Sequence, residues 1–535
     1  MRSLLHQLLL LTVATCDLTA LPTEAKLATD IQIPLLAEGR QIGAMKLAAG
    51  STVMIHSVTS DGVMVSRGDG VPFKVAKEAI VAESLAAALA TPTPGPTVTA
   101  TPRPLPSQVP SKVPPPEAAG EMQLPPLTST SDGPGPGRRF LVTTPEYQGT
   151  KVHHQVYLPS DWTPDWKAKH RSWPVIVEYT GNAYAPTGST GNVEDAALGY
   201  GLSAGNCIWV VLPFVAEDRR SNCGMWWGDE EATVDYAKLN VPRLCAEYGG
   251  DPKKVVICGF SRGAIAVNYI GLHDDAIAKL WCGFMSHDHY DGAMAWPGTA
   301  WGFPLEEYRK NALARLERLQ GRPALVCQAE ELGGAGMTKV LYLKENVKKG
   351  AYTFITVPIQ KIFPQIPNPL FKATHTDCWM FRDSGERRLA REWLDRVVNG
   401  KSDTDPTGVI TLLAPWAEIH GGGLVCNAEQ RTLQNWWEKD DASWSFTVAK
   451  PGRYSVDVTY SCKQGEGECE YLVEVGDQKL SAKTTPTQDW SESRTDHLGV
   501  VTLTTPGPGV LTLRLKSMSG KDALHLRSVV LRPTP

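Results

Sequence analysis

Val255 to Phe260 is an almost unbroken apolar, β-branched run, and Arg262 to Ile270 reads as an apolar helical pattern; Gly259-Phe260-Ser261-Arg262-Gly263 joins them. A buried strand that turns into a helix within five residues belongs to a chain whose strands are joined by helical crossovers. The glycines serve close approach, because so sharp a turn needs small neighbours for the helix to pass near the sheet. A serine at such an apex is held in strained backbone angles. The surroundings repeat the alternation. Strands are expected at "HHQVYLP", "PVIVEYTG", "CIWVVLPF", "KVVICGF", "LWCGFMS", "PALVCQ" and "YTFITVP". Helical patterns fall between them, among them "DEEATVDYAKLNVPRLCAEY" and "LEEYRKNALARLERL", and "SGERRLAREWLDRVV" closes the series. Residues 138–400 therefore predict a mostly parallel sheet with helices on both faces.

The rest of the 535 residues divides around a tether, "TPTPGPTVTATPRPLPSQVPSKVPPP". Proline removes backbone donors and favours polyproline II, so residues 88–137 act as a semi-stiff linker without a core. Before it, residues 28–83 alternate apolar and polar positions between tight turns, as a small β-barrel does. After "GKSDTDPTG", residues 410–533 read as a β-sandwich, with alternating runs such as "SWSFTVAKPGRYSVDVTYSC" and "GVVTLTTPGPGVLTLRLKS". Residues 1–20 carry Arg2 and then a short apolar run, which predicts a secretory signal peptide and a secreted, periplasmic or cell-surface protein. "VATC" ending at Cys16 leaves lipidation open, although Thr15 fits that signal poorly. No other segment predicts a membrane span. The net charge of −4 and the lack of a basic run argue against a nucleic-acid partner. Of eleven cysteines, Cys258, Cys282 and Cys327 fall in strand patterns as small core residues, and Cys462 and Cys469 flank "KQGEGE" as the best disulfide candidates. No CxxC or zinc-type spacing occurs, so no metal is expected at the elbow.

A serine hydroxyl is inert alone; it becomes a nucleophile when a base held by an acid takes its proton and donors await the oxyanion. Ser261 is the candidate nucleophile and His375, in the loop before the closing helix, the candidate base. For the acid, Glu331 stands furthest beyond the end of "PALVCQ" and is preferred; Glu330 and Asp288 are the alternatives. The candidate oxyanion donors are the backbone amides of Arg262 and of Asn182, in Thr180-Gly181-Asn182 after "PVIVEY". "MSHDHYDG" adds His287, Asp288, His289 and Asp291 at the same sheet edge, as a metal site, substrate contacts, the acid (Asp288) or a hydrogen-bonded loop. Trp226 and Trp227 offer either an aromatic wall or core packing.

On these motifs residues 138–400 resemble a serine hydrolase of the α/β-hydrolase fold, similar to secreted esterases of the polyhydroxybutyrate-depolymerase, feruloyl-esterase and acetyl-xylan-esterase group. The resemblance implies cofactor-free ester hydrolysis through an acyl-serine, carried by Ser261, His375 and Glu331. Two features depart from the family: the acid loop lacks its Gly-x-x-Asp form, and Thr180-Gly181-Asn182 replaces its common His-Gly-x. Residues 28–83 resemble bacterial SH3-like domains. "WAEIHGGGL", "DDASWSFTVAKPGRYSVDVTYSC" and "LRSVVL" give residues 410–533 a resemblance to galactose-binding-like sandwiches of carbohydrate-active enzymes. That resemblance implies glycan binding on aromatic platforms, with Trp416, Trp436, Trp437, Trp444 and Trp490 available, and in some members a structural calcium. The expected function is ester hydrolysis on a substituted polysaccharide. A catalytically silent scaffold in an adhesion protein, a serine peptidase and a polyester depolymerase are the other readings.

Overall fold

The computed structural model describes residues 23–37, 40–59, 62–66, 73–82, 120–129, 132–184, 189–329, 342–343, 351–364, 375–520 and 522–535. The chain splits into two compact units, residues 1–106 and 107–535. Residues 1–20, expected as a leader, with Cys16, and the stretch "TPTPGPTVTATPRPLPSQVPSKVPPP" lie outside the described residues, as do Glu330 and Glu331.

In the first unit, β1 (Thr23–Lys26), β4 (Thr52–Thr59), β5 (Gly62–Ser66) and β6 (Phe73–Val75) form one antiparallel sheet in that order, and β2 (Ile31–Ala37) pairs with β3 (Arg40–Leu47) as a hairpin. Alternation places Ala25, Val53, Ile55, Val63 and Val65 in one small core.

The second unit is built on an eight-stranded sheet of β7 (Arg139–Val142), β8 (His154–Tyr157), β9 (Trp173–Tyr179), β10 (Ile208–Val211), β11 (Gly250–Phe260), β12 (Gly283–His287), β13 (Pro323–Ala329) and β14 (Ala351–Val357). Its order is β14-β13-β12-β11-β9-β10-β8-β7; β9 to β14 run parallel and β8 antiparallel to its neighbours. The central strands read as continuous apolar runs because both faces are covered: Val175 and Val177 point into one core cluster and Ile176 into the other. The helices that cover them include α1 (Leu198–Ser203), α2 (Glu230–Tyr248), α3 (Arg262–Tyr269), α4 (Leu305–Leu316) and α5 (Gly385–Asn399). Buried Glu178 fastens α1 to the sheet by accepting the Leu198 and Gly199 amides (3.2 and 2.7 Å) and the Trp209 indole N–H (2.8 Å). Asp229 caps α2 and Ser384 caps α5 through their side chains.

The same unit ends in two facing antiparallel sheets. One holds β17 (Val425–Asn427), β18 (Thr432–Gln434), β25 (His525–Thr534), β20 (Gly452–Ser461) and β23 (Arg494–Leu503) in that order, with β15 (Ile410–Leu413) paired to β25. The other holds β16 (Glu418–His420), β19 (Asp441–Val448), β24 (Gly507–Met518), β21 (Cys469–Val475) and β22 (Gln478–Lys483). The expected Cys462–Cys469 bridge is corrected: both thiols are free and buried, and Cys462 Sγ donates to the Gly467 carbonyl (3.0 Å). This sandwich lies along α5. Arg431 pairs with Glu392 (2.9 and 3.2 Å), and Glu429 takes the Gly385 amide (2.6 Å) and Arg388 (2.7 Å).

Candidate active site

Ser261 follows the last residue of β11 and precedes the first of α3, with φ 57° and ψ −119°, a region that L-residues rarely adopt. The flanking glycines are obligatory here. A Cβ on Gly263 would strike the Tyr179 carbonyl, and one on Gly259 the backbone of Gly263. The Ser261 amide donates to the His287 carbonyl at the end of β12 (3.1 Å), so the apex is tied to the neighbouring strand.

The residue after β12 is Asp288, fully buried and at φ 70°. Its Oδ1 accepts the Ala329 amide (2.7 Å) and the Gln328 side-chain amide (3.2 Å), and its Oδ2 accepts Nδ1–H of His375 at 2.9 Å. Burial alone would raise the Asp288 carboxyl; the neighbouring His287, the bond from His375 and the Ala329 amide outweigh it and hold the group below the ordinary carboxylate value. A carboxylate only accepts, so the His375 proton sits on Nδ1 and leaves Nε2 with a lone pair. The Phe260 ring, one residue before Ser261, packs against the imidazole at 4.5 Å. The histidine and an ionised acid are thus bonded at the carboxyl edge of the sheet, where β11 ends on the serine turn. Such a set can pass a proton from a hydroxyl to the imidazole and hold the resulting imidazolium.

Among the described residues the carboxylate that holds His375 is Asp288, one of the two alternatives to Glu331 on sequence. Strands β12 and β13 are neighbours, so a carboxylate after either opens on the same edge, and chain position alone does not separate them.

The loop after β9 runs directly past the elbow, where a Cβ on Gly181 would lie 3.3 Å from the Ser261 Cβ. Asn182 uses its side-chain oxygen to take the Trp226 amide (2.9 Å). The Arg262 side chain, assigned no role by the sequence, is fully buried beneath this loop. A cation at a position where the helical pattern demands an apolar residue was the available signal.

The remaining members of "MSHDHYDG" separate by role. His287 is enclosed, with Nε2 2.8 Å from the Thr376 carbonyl oxygen and 3.0 Å from the Trp379 indole nitrogen. Asp291 holds Arg315 through two bonds (2.8 and 2.9 Å). His289 lies against His375 (5.0 Å) and, edge-on, against Trp296 (5.2 Å). Trp296 meets Trp226 (5.1 Å), and Trp226 meets Trp301 (5.1 Å), an aromatic wall that begins at the imidazole. The tryptophan pair divides: Trp226 joins this wall half-buried, and Trp227 is core, stacked on Tyr269 at 4.8 Å. Among the described residues no group of three or more His, Cys, Asp or Glu side chains is placed to hold a metal ion.

No protein-family model matches the chain, and the search of curated proteins finds no match. Solved structures similar to parts of it include a thermostable esterase, 16% identical with a TM-score of 0.30, over 48% of this chain and 62% of that one. Another is a GH26-CBM35 β-(1,4)-mannanase from Podospora anserina, 17% identical with a TM-score of 0.20, over 24% of this chain and 28% of that one. A family 35 carbohydrate-binding module from Clostridium thermocellum is 13% identical with a TM-score of 0.19, over 24% of this chain and 98% of the module. The chain spans less than two thirds of the length of the esterase and of the mannanase.

Proposed function

We propose that residues 138–400 are a serine hydrolase of the α/β-hydrolase fold that cleaves carboxylic esters. The observation that carries this reading is the 2.9 Å bond from His375 to buried Asp288 at the sheet edge where Ser261 sits on its strained turn. Ser261 Oγ attacks the ester carbonyl carbon while His375 Nε2 takes its proton. The carbonyl oxygen becomes an oxyanion facing the amides of Arg262 and Asn182. Collapse of the tetrahedral intermediate breaks the bond to the alcohol, which leaves with the proton from His375. Water then enters by the same route in reverse and frees the acid. Asp288 keeps the imidazole oriented and stabilises its cation. No cofactor takes part.

The test is labelling of the purified protein with a fluorophosphonate, the adduct mapped by peptide mass spectrometry. The expected adduct is on Ser261, and His375→Ala abolishes it. A folded wild-type protein that stays unlabelled by both the fluorophosphonate and a smaller activated ester would overturn the reading.

The substrate in this proposal is an ester on a polysaccharide, and the sandwich is its glycan-binding partner. Trp437 supports this second part. It is 61% exposed, and its indole lies over Gly422 and Gly423, where a Cβ on Gly422 would meet the ring at 2.6 Å. Buried Asp440 fixes the platform by accepting the amides of Gly422 (2.9 Å), Gly423 (3.1 Å), Leu424 (2.7 Å) and Trp437 (3.0 Å). A rigid, solvent-facing indole suits stacking on a sugar ring. Retardation in native gels containing acetylated xylan is expected to disappear in Trp437→Ala with no change in melting temperature; undiminished retardation would remove Trp437 from that role.

Secretion is part of the proposal, on the strength of the N-terminal apolar run. Among the described residues no helix is long and apolar enough to cross a membrane.

A further inference from the structure

The Arg262 guanidinium is enclosed at the centre of the site, beneath the loop after β9. All its partners among the described residues are neutral oxygens. Nε donates to the Thr180 carbonyl (3.3 Å), Nη1 to the carbonyls of Cys223 (3.1 Å) and Trp226 (2.8 Å), and Nη2 to Thr180 Oγ1 (3.1 Å) and the carbonyls of Gly181 (2.9 Å) and Gly191 (3.1 Å). The Phe214 ring lies under it at 4.0 Å. Burial lowers the guanidinium, to about 9, and it remains a cation at neutral pH. Burying a cation without a carboxylate is expensive, so the fold retains it for more than packing.

Its bond to Gly181 has a specific geometric effect. A trans peptide directs its carbonyl and its N–H to opposite sides. Holding the Gly181 carbonyl inward on Arg262 therefore turns the Asn182 N–H outward, on a loop whose Gly181 already lies against Ser261. The same guanidinium holds Cys223 and Trp226, while the Trp226 amide holds the Asn182 side chain and the Gly224 carbonyl takes the Ala183 amide (2.9 Å). Two loops are locked together from below by one side chain. Arg262 also supplies, through its own backbone, the other proposed donor.

We propose that the Arg262 side chain is the positioning residue of the oxyanion site, fixing the peptide plane between Gly181 and Asn182 so that its N–H stays aimed at the substrate's carbonyl oxygen as charge develops. The inference rests on the reading of Ser261 as nucleophile. Lysine in its place keeps the charge but has three donors on a flexible stem and no planar fork to reach six oxygens.

The experiment compares wild type, Arg262→Lys and Thr180→Val in three measurements: hydrolysis of p-nitrophenyl acetate, the second-order rate of fluorophosphonate labelling per folded molecule, and thermal melting. In Arg262→Lys, kcat is expected to fall about 10²–10³-fold, the size of losing one oxyanion donor, with KM within about 3-fold. The labelling rate falls in parallel. A lower melting temperature with an unchanged labelling rate per folded molecule would mean that Arg262 only holds the fold, and would overturn the proposal. If the lysine variant does not fold, Thr180→Val decides. It removes one acceptor and keeps the cation, so a kcat about 5- to 10-fold lower supports the proposal and an unchanged kcat overturns it. A wild-type protein inert to both reagents defeats the nucleophile assignment itself; a reactive wild type matched by both variants defeats this inference alone.

Discussion

Ser261→Ala is expected to lower kcat on p-nitrophenyl acetate by about 10⁵–10⁶-fold, to the level set by binding and the oxyanion donors without covalent catalysis. The hydroxyl is the one atom in the proposed mechanism for which no neighbour can substitute. Its removal should leave the fold intact, because alanine tolerates φ 57° no worse than serine and the bonds that anchor the turn are made by backbone: the Ser261 amide to His287, and the Ser261 carbonyl to the Ala264 amide (3.0 Å). Melting temperature is therefore expected to stay within about 2 °C of wild type. Residual turnover above a hundredth of wild type in a contaminant-free preparation would take the nucleophile's role from Ser261.

The second large effect is at the acid. Asp288→Asn is expected to reduce kcat by about 10³–10⁴-fold, the scale seen when a triad aspartate becomes an amide. Oδ1 of the asparagine can still accept the Ala329 amide, which places its –NH₂ against His375. The imidazole then presents a lone pair at Nδ1 and carries its proton on Nε2, where it cannot take one from serine. Glu331→Gln and Glu330→Gln, assayed beside it, are expected within about 3-fold of wild type, since His375 is already held by Asp288. A larger loss in either glutamate variant than in Asp288→Asn would return the acid to the loop after β13.

The parallel sheet could be read from the sequence because Val175 to Val177 and Val255 to Cys258 are apolar without alternation, as only strands covered on both faces are. Strand β7 escaped notice: four residues on the sheet edge, "RFLV", carry too short a pattern to register against the proline-rich stretch before them. Sequence order suggested Ser261 and His375 as partners, but the Asp288–His375 bond goes with a φ of 70° at Asp288 and with amides from Gln328 and Ala329, none of which a linear pattern displays. Trp226 and Trp227 show the same limit from another side, since neighbours in the chain go one to a wall and one to the core. The Cys462–Cys469 hairpin had the spacing of a bridge, yet the Cys462 thiol turns to a carbonyl. The hydrogen bonds of the Arg262 side chain all go to residues 36 to 82 positions away in the chain.

The charged seam between the sandwich and α5 has a mechanical meaning. Glu429 grips the first turn of that helix and Arg431 its middle, so the sandwich is clamped at more than one level and does not swing as a tethered module would. A flexible linker lets a bound anchor sample a sphere of nearby bonds, and the gain in local concentration then falls smoothly with linker length. With the proposed roles of the two bodies, a clamped pair presents one fixed offset between the glycan-binding sandwich and the scissile bond instead. On a long, decorated polymer such a pair would work as a gauge, selecting substituents that lie at that offset along the chain, while short soluble esters would be hydrolysed with no benefit from the sandwich at all.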